Sequence, residues 1–141
     1  MELDDVTGAI IDAALLIHRD LGPGALESLY ETVLAHELKR RGLRAERQLL
    51  ISFSYHGIEI EDAFRADLIV EQCVIVEVKS LERVAAVHQK QLLTYLRLMD
   101  LRVGLLLNFG AELMKDGLRR VVNDHAPTSS SLLRINRRCS E

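Results

Sequence analysis

Two apolar segments carrying charged residues decide the fold, and both lie in residues 64–79, FRADLIVEQCVIVEVK. The segments 64–70 and 73–79 are rich in β-branched residues, which predicts two strands. Only Glu71 and Gln72 separate them, so we expect a tight hairpin, although the turn lacks the glycine or asparagine that favours one. The hairpin places the two segments side by side in a sheet.

The charged residues of this hairpin form a candidate catalytic group. Side chains alternate between the faces of a strand, so Glu77 and Lys79 lie on one face, about 7 Å apart. The opposite face is apolar and consists of Val74, Val76 and Val78. The hairpin would bring Asp67 beside Glu77, so that two carboxylates and a lysine converge. On Glu77 and Lys79 alone, solvated charges are the simpler interpretation, and Asp67 narrows that choice without settling it.

Two carboxylates and a lysine have a clear use in phosphate chemistry. Mg²⁺ prefers oxygen ligands and is commonly held by one or two carboxylates, together with water and phosphate. Such an ion polarises a phosphate oxygen and makes bound water easier to deprotonate. A lysine nearby stabilises the negative charge that develops on the phosphate. Asp67 and Glu77 are therefore candidate ligands of a Mg²⁺ ion, and Lys79 is a candidate for orienting the attacking water or stabilising the developing charge, with solvated charges as the alternative.

The rest of the chain predicts an α/β fold, a sheet flanked by helices. Helical periodicity favours helices over residues 4–20, 25–41 and 84–100. Further strands are expected over residues 44–55, 58–60, 103–109 and 118–122. We expect one domain over residues 1–122. The remaining residues, 123–141, are polar and locally basic, with Arg134, Arg137 and Arg138, and a flexible tail is the simpler interpretation.

Two of the predicted helices carry further polar candidates. Glu27 and Tyr30 share a face of the second helix, where Glu27 would ligate the metal or its waters and Tyr30 would orient it. A glutamate is favoured in any first turn, however, and a tyrosine at this spacing is usually part of the core. On the third helix, His88, Gln91 and Tyr95 lie on one face, where they would bind phosphate, base or the lysine. The polar edge of an amphipathic helix explains these three equally well.

Composition excludes several other classes of function. The chain has 141 residues, of which 48% are hydrophobic and 28% charged, as in one globular domain. A formal net charge of -3 excludes binding of polyanions through bulk charge, and 4% aromatic residues argue against a surface that stacks many bases. No apolar run reaches the roughly 18 residues of a membrane span. The acidic start of the chain lacks the basic segment of a signal peptide, so we expect a cytoplasmic protein.

These groups of residues together resemble the GxxExxY protein family, which is placed in the PD-(D/E)xK nuclease superfamily. The similarity covers about residues 6–122. It rests on Gly24-x-x-Glu27-x-x-Tyr30, Arg65-Ala66-Asp67, Glu77-x-Lys79 and Gln91-x-x-x-Tyr95, and on the segments 21–24 and 107–110.

The resemblance implies a restriction-endonuclease-like fold, a mixed sheet with helices on both sides. It implies that Asp67 and Glu77 bind the metal, that Lys79 is the catalytic lysine and that Glu27 is the acid of the first core helix. Gln91-x-x-x-Tyr95 is similar to an element of RecB-type nucleases that contacts nucleic acid or supports the site.

The sequence thus favours a Mg²⁺- or Mn²⁺-dependent nuclease that hydrolyses phosphodiester bonds, with DNA rather than RNA as its substrate. Arg65 and the three polar residues of the third helix would bind the substrate or support the site. The alternative is a catalytically silent module that binds nucleic acid or protein, and the acidic net charge and small size favour it. A homodimer with one active site in each subunit is compatible with the nuclease, and apolar residues of the first helix would form its interface.

Overall fold

A computed structural model describes residues 1–124 and 133–137, which form one mixed sheet flanked by helices. The elements in chain order are α1 (Leu3–Leu21), α2 (Glu27–Arg40), β1 (Ala45–Tyr55), β2 (Ile58–Val70), β3 (Val74–Lys79), α3 (Ala86–Met99), β4 (Val103–Asn108), α4 (Met114–Gly117), β5 (Leu118–Val122) and β6 (Leu133–Arg137). The strand order is β5-β4-β3-β2-β1-β6. Strands β3 and β4 are parallel and the other neighbours are antiparallel.

The sheet separates two hydrophobic cores. One core lies under α1 and α2 and takes in the three valines of β3. The other lies under α3, whose Leu92, Leu96 and Met99 pack against Ile75 of β3 and Leu106 of β4. Strand β4 is buried along its whole length because helices cover both of its faces. The restriction-endonuclease-like α/β fold predicted from the sequence is thereby confirmed. In the described ranges, no helix combines the length and the apolar character needed to cross a membrane.

The turn between β2 and β3 explains how a hairpin forms without glycine or asparagine. Glu71 and Gln72 have φ values of 52° and 58°, so both central residues are left-handed, as a type I′ turn requires. The N–H of Cys73 donates to the carbonyl of Val70 over 3.0 Å and closes the turn. Arg44 N–H donates to a carboxylate oxygen of Glu71 over 2.6 Å. This contact offsets part of the cost of the left-handed conformation.

Strand β2 differs from its prediction, because residues 58–60 and 64–70 belong to one strand rather than two. The pairing of β1 with β2 shifts between Ile51, which pairs with Phe64, and Phe53, which pairs with Ile60. The extra residues of β2 are taken up in an irregularity around Asp62, whose N–H donates to Ser52 Oγ over 2.9 Å. A bulge of this kind keeps a strand continuous through a segment whose sequence resembles a break.

The predicted tail is also only partly correct, because residues 133–137 form β6 at the edge of the sheet. Strand β6 pairs with residues 51–55 of β1, and Ile135 is the partner of Phe53. Residues 133–137 alternate apolar and polar, which is a strand pattern that the serines before it and the arginines within it obscured. Arg134 and Arg137 lie within β6, whereas Arg138 lies outside the described residues.

Candidate metal and active site

The backbone pairing between β2 and β3 ends next to two acidic residues. Its last backbone pair is Leu68 with Val76, and the next positions in this register are Asp67 and Glu77. Their carboxylates continue the bonding. The N–H of Asp67 donates to Glu77 Oε2 over 3.2 Å, and the N–H of Val78 donates to Asp67 Oδ2 over 2.9 Å. We call Asp67 and Glu77 the carboxylate pair.

Asp67 lies where β2 exchanges the faces of its side chains. Before it, Phe64 and Ala66 pack in the core under α3, whereas after it Leu68 and Val70 pack in the core under α1 and α2. A regular strand keeps alternate residues on one face, so the backbone is irregular at this point. The part of β2 before Asp67 does not pair with β3, and the carboxylate pair lies where the two strands separate.

The carboxylate pair is poorly solvated, and this alters its acidity. Burial raises the pKa of Glu77 to about 8, and the neighbouring charge of Asp67 adds to the rise. Burial also raises the pKa of Asp67, although the bond from the Val78 N–H opposes that change. The charge of Lys79 lowers the pKa of both groups without cancelling the effect of burial. The surroundings therefore lack the positive charge that would keep both groups ionised at neutral pH.

Tyr95 is the α3 residue that the structure brings towards the carboxylate pair. Burial raises the pKa of its hydroxyl, and the charges of Glu77 and Asp67 add to the rise. Its ring stacks on Phe64 with centroids 3.9 Å apart and an angle of 7° between the planes. This stacking fixes α3 against β2, three residues before Asp67, which sequence reasoning did not foresee.

The other predicted substrate contacts lie around this centre with different roles. Arg65 is exposed and lies two residues before Asp67. Gln91 is also exposed and lies one helical turn before Tyr95. His88 is half-buried, and its Nδ1 accepts the N–H of Ala85 over 3.1 Å. The ring thus caps the start of α3. This bond gives His88 a structural role that the interpretation as a substrate contact did not include.

Glu27 lies beside the loop that leaves β3. Its Oε2 accepts the N–H of Ser80 over 3.4 Å, and Ser80 Oγ donates to the carbonyl of Ala25 over 2.7 Å. The first residue of α2 is therefore tied to the residue after Lys79. Glu27 is exposed and close enough for its charge to raise the pKa of Asp67.

Tyr30 acts from the core rather than from the surface of the site. Its side chain is fully buried and stacks on Phe109, with centroids 4.4 Å apart and 10° between the planes. Its hydroxyl donates to the carbonyl of Gly22 and accepts the N–H of Ala25 over 3.0 Å. Tyr30 thus holds the loop from which α2 and Glu27 begin, and its predicted role in orienting Glu27 stays a prediction.

Asn108, at the end of β4, has a role that sequence reasoning missed. It is 2% exposed, and its side chain bonds both the N–H and the carbonyl of Leu81, over 2.8 and 2.9 Å. A Cβ atom added to Gly110 would lie 2.4 Å from the carbonyl oxygen of Leu81, so glycine is needed there. Both contacts hold the loop after Lys79 against the sheet. The signal was an asparagine that ends an otherwise apolar strand.

Glu31 is a second residue that the sequence analysis missed. It is buried on α2, and its charge raises the pKa of both Asp67 and Glu77. Its position four residues after Glu27, on the same face of the helix, was the available signal.

The donor chemistry of the carboxylate pair fits a hard divalent cation. Mg²⁺ and Mn²⁺ are held by carboxylate oxygens, and such an ion would neutralise the charge that burial penalises at this site. Within residues 1–124 and 133–137, no group of three or more His, Cys, Asp or Glu side chains is placed to hold a metal ion. The charge of Glu27, the third predicted ligand, acts on Asp67 from the start of α2.

Two acids on adjacent strands, followed by a lysine two residues after the second acid, are typical of restriction-endonuclease-like nucleases. A family model described as the PD-(D/E)XK nuclease superfamily matches residues 4–121 of this chain. The chain belongs to that superfamily. Asp67 and Glu77-x-Lys79 are the residues of this chain that resemble the acids and lysine of the superfamily signature. A search of curated proteins and a search of solved structures each found no match.

Proposed function

We propose that the protein is a Mg²⁺- or Mn²⁺-dependent nuclease of the GxxExxY family that hydrolyses phosphodiester bonds in nucleic acid. The observation that carries the proposal is the carboxylate pair, which lies where β2 and β3 separate beyond Leu68 and Val76, with Lys79 on the face of Glu77. The membership of the superfamily supports the same conclusion, because its nucleases typically use divalent metal ions.

Each residue of the site has a distinct task in this proposal. Asp67 and Glu77 would hold the ion, and the backbone N–H groups that bond them keep their oxygens oriented. When bound by these two residues, the ion would polarise a phosphate oxygen and lower the pKa of water. Lys79 supplies a positive charge where negative charge develops on the phosphate. Glu27 would accept a hydrogen bond from water at the edge of the site.

The test is cleavage of nucleic acid by the wild type and by Asp67→Asn and Glu77→Gln. Each reaction contains Mg²⁺, Mn²⁺ or chelator, with double-stranded DNA, single-stranded DNA and RNA as separate substrates. We expect metal-dependent cleavage by the wild type and at least a 100-fold loss in each variant, about 2.7 kcal/mol in the activation barrier. Glu61→Gln, an exposed glutamate of β2, is the control and should cleave normally. Cleavage by both site variants at the wild-type rate would refute the assignment.

A catalytically silent module is the second candidate, and one observation favours it. Both carboxylates already bond backbone N–H groups, so they have a structural use at the end of the ladder even without a metal ion. This candidate predicts binding of nucleic acid or protein without turnover under any metal condition. Asp67→Asn would then lower the free energy of unfolding and leave binding unchanged. For the nuclease, in contrast, we expect this variant to lose cleavage.

Substrate preference, assembly and location are further parts of the proposal. We infer that DNA is cleaved in preference to RNA, which the substrate comparison above measures. Leu15 and Leu21 of α1 are 44% and 49% exposed, and such apolar side chains support a homodimer through this helix. Sedimentation that finds only monomer at micromolar concentration would reject the dimer. A cytoplasmic location stays a prediction, which imaging of the tagged protein would test.

A further inference from the structure

A third buried acid lies beside the carboxylate pair and has no task in the chemistry proposed above. Glu31 is 6% exposed and lies one helical turn after Glu27. Its carboxylate accepts hydrogen bonds from Gln48 Nε2 over 2.7 Å and from Arg47 Nε over 3.1 Å. A buried carboxylate requires such partners, and both are supplied by β1.

Both partners of Glu31 belong to the part of β1 that faces Asp67. Arg47 pairs with Leu68, so the next residue, Gln48, is the one opposite Asp67 in this register. Gln48 has a φ of 51°, a left-handed conformation that is uncommon for glutamine inside a strand. Such a conformation persists only where the surrounding contacts hold it. The bond from its side chain to Glu31 is one of those contacts.

The same contacts connect this part of β1 to the helix that carries Glu27. Arg47 donates to Thr32 Oγ1 over 3.0 Å as well as to Glu31, so two neighbouring residues of α2 hold its guanidinium. Glu31 is also close enough to the site for its charge to act on Asp67 and Glu77. The group formed by Glu31, Arg47 and Gln48 therefore connects α2, which carries Glu27, to the part of β1 that lies opposite Asp67.

We propose that Glu31 is a positioning residue. Through Gln48 and Arg47 it fixes the left-handed residue opposite Asp67, and it fixes that part of β1 to the helix that carries Glu27. The kinetic consequence rests on the proposed nuclease function, whereas the structural consequence does not. Loss of a residue that orients metal-binding side chains typically costs roughly 10- to 100-fold in metal affinity or activity.

The first test measures hydrogen exchange at the backbone amides of Asp67 and Val78, which donate hydrogen bonds to the carboxylate pair. The variant Glu31→Gln replaces one acceptor oxygen by a donor, so it loses one of its two partners. We expect both amides to exchange at least about tenfold faster in this variant, a change of about 1.4 kcal/mol in the free energy of opening. The amide of Leu105, in the core strand β4, should be unchanged.

A second variant and a matched control separate the side-chain bond from general effects. Gln48→Gly keeps a left-handed backbone without strain but removes the amide that bonds Glu31. We expect faster exchange at Asp67 in this variant too, and wild-type exchange would overturn the proposal. Glu37→Gln is the control, because it removes a glutamate of α2 that pairs with Arg41 outside the site. It should leave the exchange at Asp67 unchanged.

The kinetic test asks whether the loss falls on turnover or on substrate binding. In Glu31→Gln we expect kcat to fall by roughly 10- to 100-fold, with KM for nucleic acid within about twofold of the wild type. The exchanged pair Glu31→Gln with Gln48→Glu restores one donor and one acceptor, and it should regain part of the loss. A wild type without cleavage would refute the proposed function, and hydrogen exchange would still decide the role of Glu31. Unchanged exchange at Asp67 in Glu31→Gln would refute that role even if cleavage is observed.

Discussion

The buried carboxyl group of Glu77 makes the stability of the fold depend on pH. Burial and the charge of Asp67 raise its pKa from 4.5 to about 8. Between these two values the folded protein holds a proton that the unfolded chain has released. The stabilising contribution of the protonated group is therefore complete below about pH 4.5. It decreases as pH rises and is lost once pH passes about 8.

The size of this effect follows from the two pKa values. A carboxyl pKa that moves from 4.5 to about 8 corresponds to about 5 kcal/mol, or about 1.4 kcal/mol for each pH unit. The side chain is 7% exposed, so solvent screens little of this energy. In metal-free protein we expect the free energy of unfolding to fall by about 4 kcal/mol from about pH 5 to about pH 8. Glu77→Gln removes the ionisable group and should remove most of the fall, leaving the part due to Asp67.

Urea unfolding in the presence of chelator measures this slope directly. The chain has no tryptophan, so circular dichroism is the appropriate signal. Glu61→Gln, which changes an exposed glutamate of the same sheet, is the control and should show the slope of the wild type. If Glu77→Gln loses stability with pH as steeply as the wild type, the buried carboxyl is not the source of the slope. The inference that burial leaves the carboxylate pair short of neutralising charge would then be wrong.

Three further predictions concern the metal ion and the loops around the site. Millimolar Mg²⁺ or Mn²⁺ should raise the melting temperature of the wild type and leave that of the double variant Asp67→Asn/Glu77→Gln unchanged. An equal rise in both proteins would place the ion elsewhere. Gly110→Ala forces a Cβ against the backbone of Leu81 and should cost about 1–3 kcal/mol in urea unfolding. Gly24→Ala has open space and should stay within about 1 kcal/mol of the wild type. Tyr30→Phe keeps the stacking on Phe109 but loses both hydroxyl bonds, so its unfolding free energy should fall by about 1–3 kcal/mol, and no measurable fall would refute its role in the loop.

The carboxylate pair could be predicted from the sequence because its geometry depends on local rules. Alternation along β3 places Glu77 and Lys79 on one face whatever the rest of the chain does. A strict turn of two residues would pair Val70 with Cys73 and set Asp67 opposite Val76. The structure instead pairs Val70 with Val74, and this shift of one residue, which the sequence does not reveal, puts Asp67 opposite Glu77. The fold class is predicted by rules of the same kind. Two apolar strands with a helix between them, such as β3 and β4, indicate a parallel pair that helices cover on both faces.

The supporting contacts could not be predicted because they join elements that are distant in the chain. Glu31 meets Gln48 only once α2 has docked on β1, and no periodicity encodes that arrangement. The left-handed backbone of Gln48 is likewise held by tertiary contacts rather than favoured by residue type. The role of Tyr30 could not be predicted for the same reason. Its spacing from Glu27 predicts that the two residues share a face of α2, whereas its burial against Phe109, which determines its role, is a tertiary contact.

The balance of charge around the carboxylate pair gives a reason for a divalent ion at this point of the fold. Backbone N–H groups orient the two carboxylates, but as dipoles they do not neutralise them. The guanidinium of Arg47 is engaged by Glu31, whereas the positive charge of Lys79 acts on both members of the pair. Burial, together with the charge of Asp67, outweighs the charge of Lys79 and leaves the pKa of Glu77 raised. In the proposed nuclease, a divalent ion would supply the missing positive charge, and relief of the cost of burying the pair would contribute to its binding.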